Sequence, residues 1–211
     1  MHKSKKKIGS FAIKIDLAKV YDNMSWKFID CVLNEVGIPK HLNGLIMLDV
    51  TSMHLRVLWK GNNVDFFEAK KGLRQGDMLP PYLFVLCMDK LSHMIHDAVE
   101  NKQWHCLNIG KDGLKVSHLM FVDDLILFGT ATDNQINVIM DILSLFCSAY
   151  GHHINMVKSN IMFSRNTLIV KSGFRETASI GTYLGVPLSG KSPKFKDFHY
   201  LIEKVQAKLA H

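Results

Sequence analysis

The sequence predicts a mixed α+β fold, an antiparallel sheet backed by helices. Three observations point there. Short runs rich in Ile, Leu, Val and Phe recur at Phe11–Asp16, Ser117–Phe121 and Leu125–Phe128, each of strand length. Longer segments carry apolar residues at helical spacing and are bounded by Ser, Asp, Gly or Pro. The order is strand, helices, hairpin, helix, hairpin, helix and strands, which suits α+β packing better than repeated βαβ units.

Phe11–Asp16 reads as a buried strand ending on a carboxylate. Ser25 is placed to cap a helix over Trp26–Val36, which Gly37 and Pro39 close, and a second helix covers Lys40–Asp49. Leu55–Trp59 and Val64–Ala69, joined by Gly61-Asn62-Asn63, form a β-hairpin. The loop Lys71-Gly72-Leu73-Arg74-Gln75-Gly76-Asp77 precedes a long apolar helix over Leu79–Val99. Ser117–Phe121 and Leu125–Phe128 are strands flanking Val122-Asp123-Asp124. Asp133 opens a helix that runs to Tyr150, where Gly151 ends it. Ile161–Phe163 and Thr182–Val186 are short strands, and Phe195–Leu209 is a closing amphipathic helix.

The chain has 211 residues, 47% apolar and 21% charged, the mix of a folded domain with a core rather than of a disordered segment. Lys and Arg total 26 against 19 Asp and Glu, a formal charge of +7, which suits a polyanionic partner such as nucleic acid or an anionic membrane surface. Residues 1–10 form a basic segment with no apolar stretch behind it, so it does not read as a secretory signal. No run reaches the roughly 18 apolar residues that span a bilayer, and no membrane partner is expected. Cys31, Cys87, Cys106 and Cys147 are far apart and form no CxxC pair, so they read as free thiols in a reducing compartment. His93 with His96, and His152 with His153, lack Cys or carboxylate partners at zinc spacing.

The residue types that carry chemistry are carboxylates. Asp123 and Asp124 stand side by side between strands that are otherwise apolar. Two such charges about 4 Å apart at an effective dielectric near 20 repel by about 4 kcal/mol, unless a cation relieves them. A polar hairpin turn is the alternative for this pair alone. Asp16, at the end of its own apolar strand, is an independent carboxylate, although a strand-end residue is its alternative. Three carboxylates on central strands suit an oxygen-rich site for two Mg²⁺ ions, with Mn²⁺ able to substitute.

The motifs then fall into an order. Asp16 through Tyr21 to Asp22, with Ser25-Trp26-Lys27-Phe28-Ile29, resembles motif A of non-LTR (LINE-like) retrotransposon reverse transcriptases, here of plant type. Leu73-Arg74-Gln75-Gly76-Asp77 with Leu79 and Pro81-Tyr82-Leu83-Phe84 resembles motif B, and His118 through Leu125 resembles motif C. Gly151 through Ile154-Asn155 to Lys158-Ser159 resembles motif D, and Tyr183-Leu184-Gly185-Val186-Pro187-Leu188 resembles the primer-grip region. The resemblance implies a palm-like fold and an RNA-directed DNA polymerase, which adds deoxynucleoside triphosphates to a DNA primer on an RNA template. It implies that Asp16, Asp123 and Asp124 hold the metals and that Tyr21 lies under the sugar and excludes a 2′-hydroxyl. It also implies that Gln75 and Gly76 touch nucleotide and template. Lys158 would neutralise or protonate the leaving pyrophosphate, or else be an ordinary surface lysine.

Several positions depart from the family pattern. Motif B usually continues Pro-Leu-Ser-Pro, where this chain has Met78-Leu79-Pro80-Pro81, and Pro80 is tolerable only in a first helical turn. Ala18 stands where Glu is common, and His152-His153 where Leu-Lys is common. With 15 residues before Asp16, the expectation is a palm portion over residues 11–190 with fingers and thumb largely missing, followed by a C-terminal helix over 191–211. Two function classes stay open: a polymerase with intact catalytic aspartates, and an inactive remnant that at most binds nucleic acid.

Overall fold

The computed structural model describes residues 9–17, 19–63, 65–109, 113–151, 153–164 and 172–189, and the scattered positions 199, 200, 203, 206 and 207. Residues 1–8 of the basic segment, Ala18, His152 and most of the expected C-terminal helix lie outside them. In chain order the elements are β1 (Ser10–Asp16), α1 (Val20–Asn23), α2 (Trp26–Glu35), α3 (Lys40–Thr51), β2 (His54–Leu55), β3 (Leu58–Trp59), β4 (Asn62–Asn63) and β5 (Phe67–Glu68). Then follow α4 (Pro80–Glu100), β6 (Leu107–Ile109), β7 (Leu114–Val116), β8 (His118–Phe121), β9 (Asp124–Thr130) and α5 (Asp133–Tyr150). The series ends with β10 (Asn160–Phe163), β11 (Arg175–Glu176), β12 (Ser179–Tyr183) and β13 (Val186–Ser189). No helix among the described residues is long and apolar enough to cross a membrane.

The chain divides into two compact units. The first contains β1, His105–Ile136 and the described residues from Met156 onward; the second contains Leu17–Trp104 and Asn137–Asn155.

The first unit is built on a five-stranded sheet in the order β11-β10-β1-β9-β8. Its central pairs are antiparallel, as the sequence predicts, while the short edge pair β10–β11 is parallel. Strand β1 lies inside the sheet, paired with β10 on one side and β9 on the other. Phe11, Ile13 and Ile15 point to one face and are buried, as are Leu125 and Leu127 of β9. Phe11 lies opposite Gly129, whose missing side chain leaves the ring its place: a Cβ there would come within 2.8 Å of Phe11 Cζ. The other face carries Ala12, Lys14 and Asp16. At its Ala12 end it is covered by the β12–β13 hairpin, where Ala12, Ile126 and Ile180 form a small core flanked by Phe128, Met162, Tyr183 and Leu188. Towards Asp16 the face becomes polar.

The second unit follows its local signals closely. The Ser25 side chain accepts a bond from the Phe28 amide at 3.4 Å and so caps α2. Gly37, at φ 85°, closes that helix: its amide donates to Asn34 and the Ile38 amide to Leu33, a Schellman end. Pro80 and Pro81 occupy the first positions of α4, where the missing amide has no intrahelical partner to lose. The departure of Pro80 from the family pattern is therefore absorbed. Phe28 packs edge to face against Phe146 and Tyr150, with Tyr150 fully buried.

Turn chemistry differs from expectation in three places, for one reason. The Leu55–Ala69 hairpin turns at Lys60-Gly61, with φ 48° and 82°, and Asn62-Asn63 belong to a strand. Two consecutive positive φ values make the type I′ turn that matches strand twist. Leu184-Gly185, φ 50° and 79°, likewise splits the expected Thr182–Val186 strand into the β12–β13 hairpin. Between β8 and β9 the turn is Val122-Asp123, and Asp124 is the first residue of β9 rather than part of the turn. In each case the flanking strands, not turn composition, set where the chain reverses.

Candidate active site

Asp16 and Asp124 are register partners across β1 and β9, so their side chains leave the same face of the sheet from directly opposed positions. Opposed like charges destabilise a strand pair, and the local structure answers with a cation. Lys14, two residues before Asp16 and on the same face, places its ammonium 3.1 Å from Asp124 Oδ1. The same Nζ donates to the Thr182 carbonyl at 2.8 Å. The Asp16 backbone is fixed from the other side, its amide donating to Ser159 Oγ at 3.0 Å where β10 has not yet begun. Ser159 is fully buried.

Asp123 is exposed in the turn before β9. Val122, beside it, has φ 54°, a conformation rare for a β-branched residue. The phenol of Tyr183, half-buried on the covering hairpin, is held above its usual pKa by burial and by the negative charge of Asp124. Lys158 lies exposed in the turn before β10, where its carbonyl accepts from the Asn160 side-chain Nδ2 at 2.9 Å.

The remaining predicted site residues belong to the second unit, where the segment Tyr21–Trp26 and the loop Lys71–Asp77 are stitched together. The Gly72 amide donates to Met24 and the Leu73 amide to Tyr21, both at 2.8 Å, and the Trp26 indole donates to the Gly72 carbonyl at 2.7 Å. Gln75 Nε2 donates to Asp22 Oδ1 at 3.3 Å, and Lys71 to Asn23 Oδ1 at 2.9 Å. Gly72 permits this approach: at φ 90° an added Cβ would lie 2.7 Å from the Asp22 carbonyl oxygen. Gly76, φ 99°, has open space where a Cβ would stand. Tyr21 stacks on Phe84 with ring centroids 5.0 Å apart.

The sheet thus brings Asp16 and Asp124 together, with Asp123 in the adjoining turn and Lys158 near the start of β10. Tyr21, Gln75 and Gly76 share the second unit. Sequence reading assigns no role to Lys14, Ser159, Trp26 or Phe84, although all four lie within or beside the motifs. The signal for Lys14 is its spacing, since residues two apart on a strand share a face.

The comparisons with known proteins converge. Residues 1–188 match the family described as reverse transcriptase (RNA-dependent DNA polymerase). The chain belongs to the reverse transcriptase family. It is 32% identical over 118 residues to an uncharacterised mitochondrial protein of Arabidopsis thaliana, covering 54% of this chain and 93% of that protein. It is 25% identical over 115 residues to a Pol polyprotein from an R2 retrotransposable element of Popillia japonica, and 26% identical over 157 residues to the R2 polyprotein of Drosophila melanogaster. Those matches cover 54% and 74% of this chain but only 18% and 14% of the polyproteins.

In fold, this reverse transcriptase chain resembles telomerase. A Candida tropicalis telomerase truncated from its C-terminal domain superposes with a TM-score of 0.62 at 18% identity, over 86% of this chain and 34% of that one. Candida albicans telomerase, solved with a TWJ fragment of telomeric RNA, gives 0.59 at 17% identity, over 94% and 35%. The α+β palm-like architecture is thereby shown, and two of the relatives named are polyproteins of R2 non-LTR elements.

The family uses divalent metal ions. The donor set at Asp16 and Asp124 suits a hard cation, being oxygen only, and a lysine ammonium already holds one of its oxygens. Among the described residues no group of three or more His, Cys, Asp or Glu gathers as a metal cage.

Proposed function

We propose that this chain carries the palm of an RNA-directed DNA polymerase, joining deoxynucleotides to a primer 3′-hydroxyl on an RNA template. The observation that supports it most is the opposition of Asp16 and Asp124 at the polar end of an otherwise covered sheet face. Asp16, Asp124 and Asp123 would hold two Mg²⁺ ions, which when bound lower the pKa of the attacking hydroxyl and stabilise the leaving pyrophosphate. The family resemblance gives other groups of the chain their roles. Tyr21, braced by Phe84, would present a flat ring to the sugar and leave no room for a 2′-hydroxyl. Gln75 and Gly76, on a loop held by Trp26 and Asp22, would contact nucleotide and template, the glycine backbone admitting close approach. Lys158 would offer its ammonium to the departing pyrophosphate.

Primer extension on an RNA template with deoxynucleotides and Mg²⁺ tests this, comparing the parent chain with Asp123→Ala and Asp124→Asn. Incorporation that disappears in both variants is the expected result. A folded parent chain that extends no primer would overturn it.

One observation favours a second reading, an inactive remnant that binds nucleic acid through its charge of +7: the aspartates form no three-carboxylate cage. Such a protein would retain RNA in filter binding, with affinity falling steeply as salt rises. It would bind equally well after Asp124→Asn.

A further inference from the structure

Lys14 makes two contacts that belong to different parts of the first unit. Its ammonium is 3.1 Å from the Asp124 carboxylate and 2.8 Å from the carbonyl of Thr182 on the β12–β13 hairpin. Thr182 stands opposite Pro187, the rung after the turn pair Tyr183–Val186, where backbone groups face away from the partner strand, and its carbonyl accepts from Lys14 instead. The apolar contacts of Ile180, Tyr183 and Leu188 hold the hairpin to the Ala12 end of the face; towards Asp16, the hold includes this ammonium.

We propose that Lys14 is a positioning residue that links cation binding at Asp124 to the hold on the β12–β13 hairpin. The proposal rests on Asp124 being a metal ligand. Lys14 and a divalent cation held by Asp124 would compete for its negative charge and repel each other. When the carboxylate turns to a divalent cation, the ammonium loses one of its two anchors and its bond to the Thr182 carbonyl weakens. The hairpin is therefore held firmly without metal and released to adjust once metal is bound. If the hairpin receives the primer end, as its resemblance to the primer-grip region implies, metal loading comes first.

The test is Mn²⁺ titration of the full chain, read by calorimetry, with amide hydrogen exchange of the hairpin measured with and without Mn²⁺. Lys14→Met removes both contacts, Lys14→Gln keeps a donor without the charge, and Asp124→Asn reports whether the site binds metal at all. Lys14 and Asp124 side chains are 25% and 34% exposed, so the competition is that of a partly screened pair. Both Lys14 variants should bind Mn²⁺ about two- to fivefold more tightly than the parent. Saturating Mn²⁺ should speed exchange at Gly181–Tyr183 in the parent. In Lys14→Met the same amides should exchange fast with or without Mn²⁺, while β1 and β9 stay protected.

Two results would overturn the proposal alone: Mn²⁺ affinity that depends on Asp124 but not on Lys14, or hairpin exchange indifferent to Lys14→Met. Mn²⁺ binding unaltered by Asp124→Asn would remove the metal-site reading as well. Should Lys14→Met not fold, Lys14→Gln still decides through its Mn²⁺ affinity.

Discussion

Val122 holds a left-handed backbone conformation, φ 54°, at the first position of the two-residue turn that joins Phe121 to Asp124. Glycine normally takes that position, and a β-branched residue there stores about 1–3 kcal/mol. The strain sits directly beside the carboxylates, where it fixes how Asp123 and Asp124 leave the strand. Val122→Gly should raise stability by about 1 kcal/mol in a urea titration, since relief of strain outweighs the added freedom of the unfolded chain. If the strain aims Asp123, primer extension by that variant should fall although the protein is more stable. The opposed pair behaves differently. Asp124→Asn removes both its repulsion with Asp16 and its pairing with Lys14, so the free energy of unfolding, read by urea titration, should stay within about 1 kcal/mol of the parent. Mn²⁺ affinity should drop in the same sample.

At the scale of elements, two positions in the second unit carry opposite expectations. Gly72→Ala should destabilise by about 1–3 kcal/mol, because a Cβ at φ 90° would strike the Asp22 carbonyl 2.7 Å away. Its loop bonds to Met24 and Tyr21 would open, and the Trp26 indole would lose its acceptor, visible as a shift in tryptophan fluorescence. Helix α4 ends in a Schellman geometry in which the Lys102 amide donates to Val99 and the Gln103 amide to Ala98, with Lys102 at φ 58°. A lysine there pays a steric cost that glycine does not. Lys102→Gly should therefore stabilise by about 1 kcal/mol, read from the denaturation midpoint.

On the scale of the whole molecule, buried acids make the chain sensitive to base. Burial pushes the Cys87 thiol from 9.0 to about 12 and the Cys147 thiol to about 11. It raises the Tyr150 phenol too, and the nearby Cys87, Tyr21 and Cys147 add to that effect. The folded state thus favours the protonated forms. That stability is fully present below pH 9.0 and is lost as pH climbs through the unfolded values toward about 11 and 12. Urea midpoints should be flat near neutrality and fall steadily above pH 9.0. At pH 8, iodoacetamide should modify exposed Cys31 quickly and leave Cys87 and Cys147 untouched, as mass spectrometry of the digested protein would show. Equal labelling of all three would contradict the burial.

Much of this protein was determined by sequence alone. The Ser25 cap, the Gly37 and Gly151 helix ends, the apolar strand ending at Asp16 and the motif order all depend on neighbours a few residues apart, and local physics fixes them. The family follows from the same residues. What the tertiary structure decided is everything that depends on register. That Asp16 faces Asp124 is an outcome of pairing between distant segments, while Asp124 opening a strand and Tyr183 and Val186 flanking a turn are outcomes of hairpin register. A one-residue slip would turn Asp124 to the opposite face, and no local signal forbids it; the buried sets Phe11-Ile13-Ile15 and Leu125-Leu127 do. Lys14 gains its two contacts only through that register. A lysine in a strand is ordinary until the fold brings Asp124 and the Thr182 carbonyl to the same ammonium.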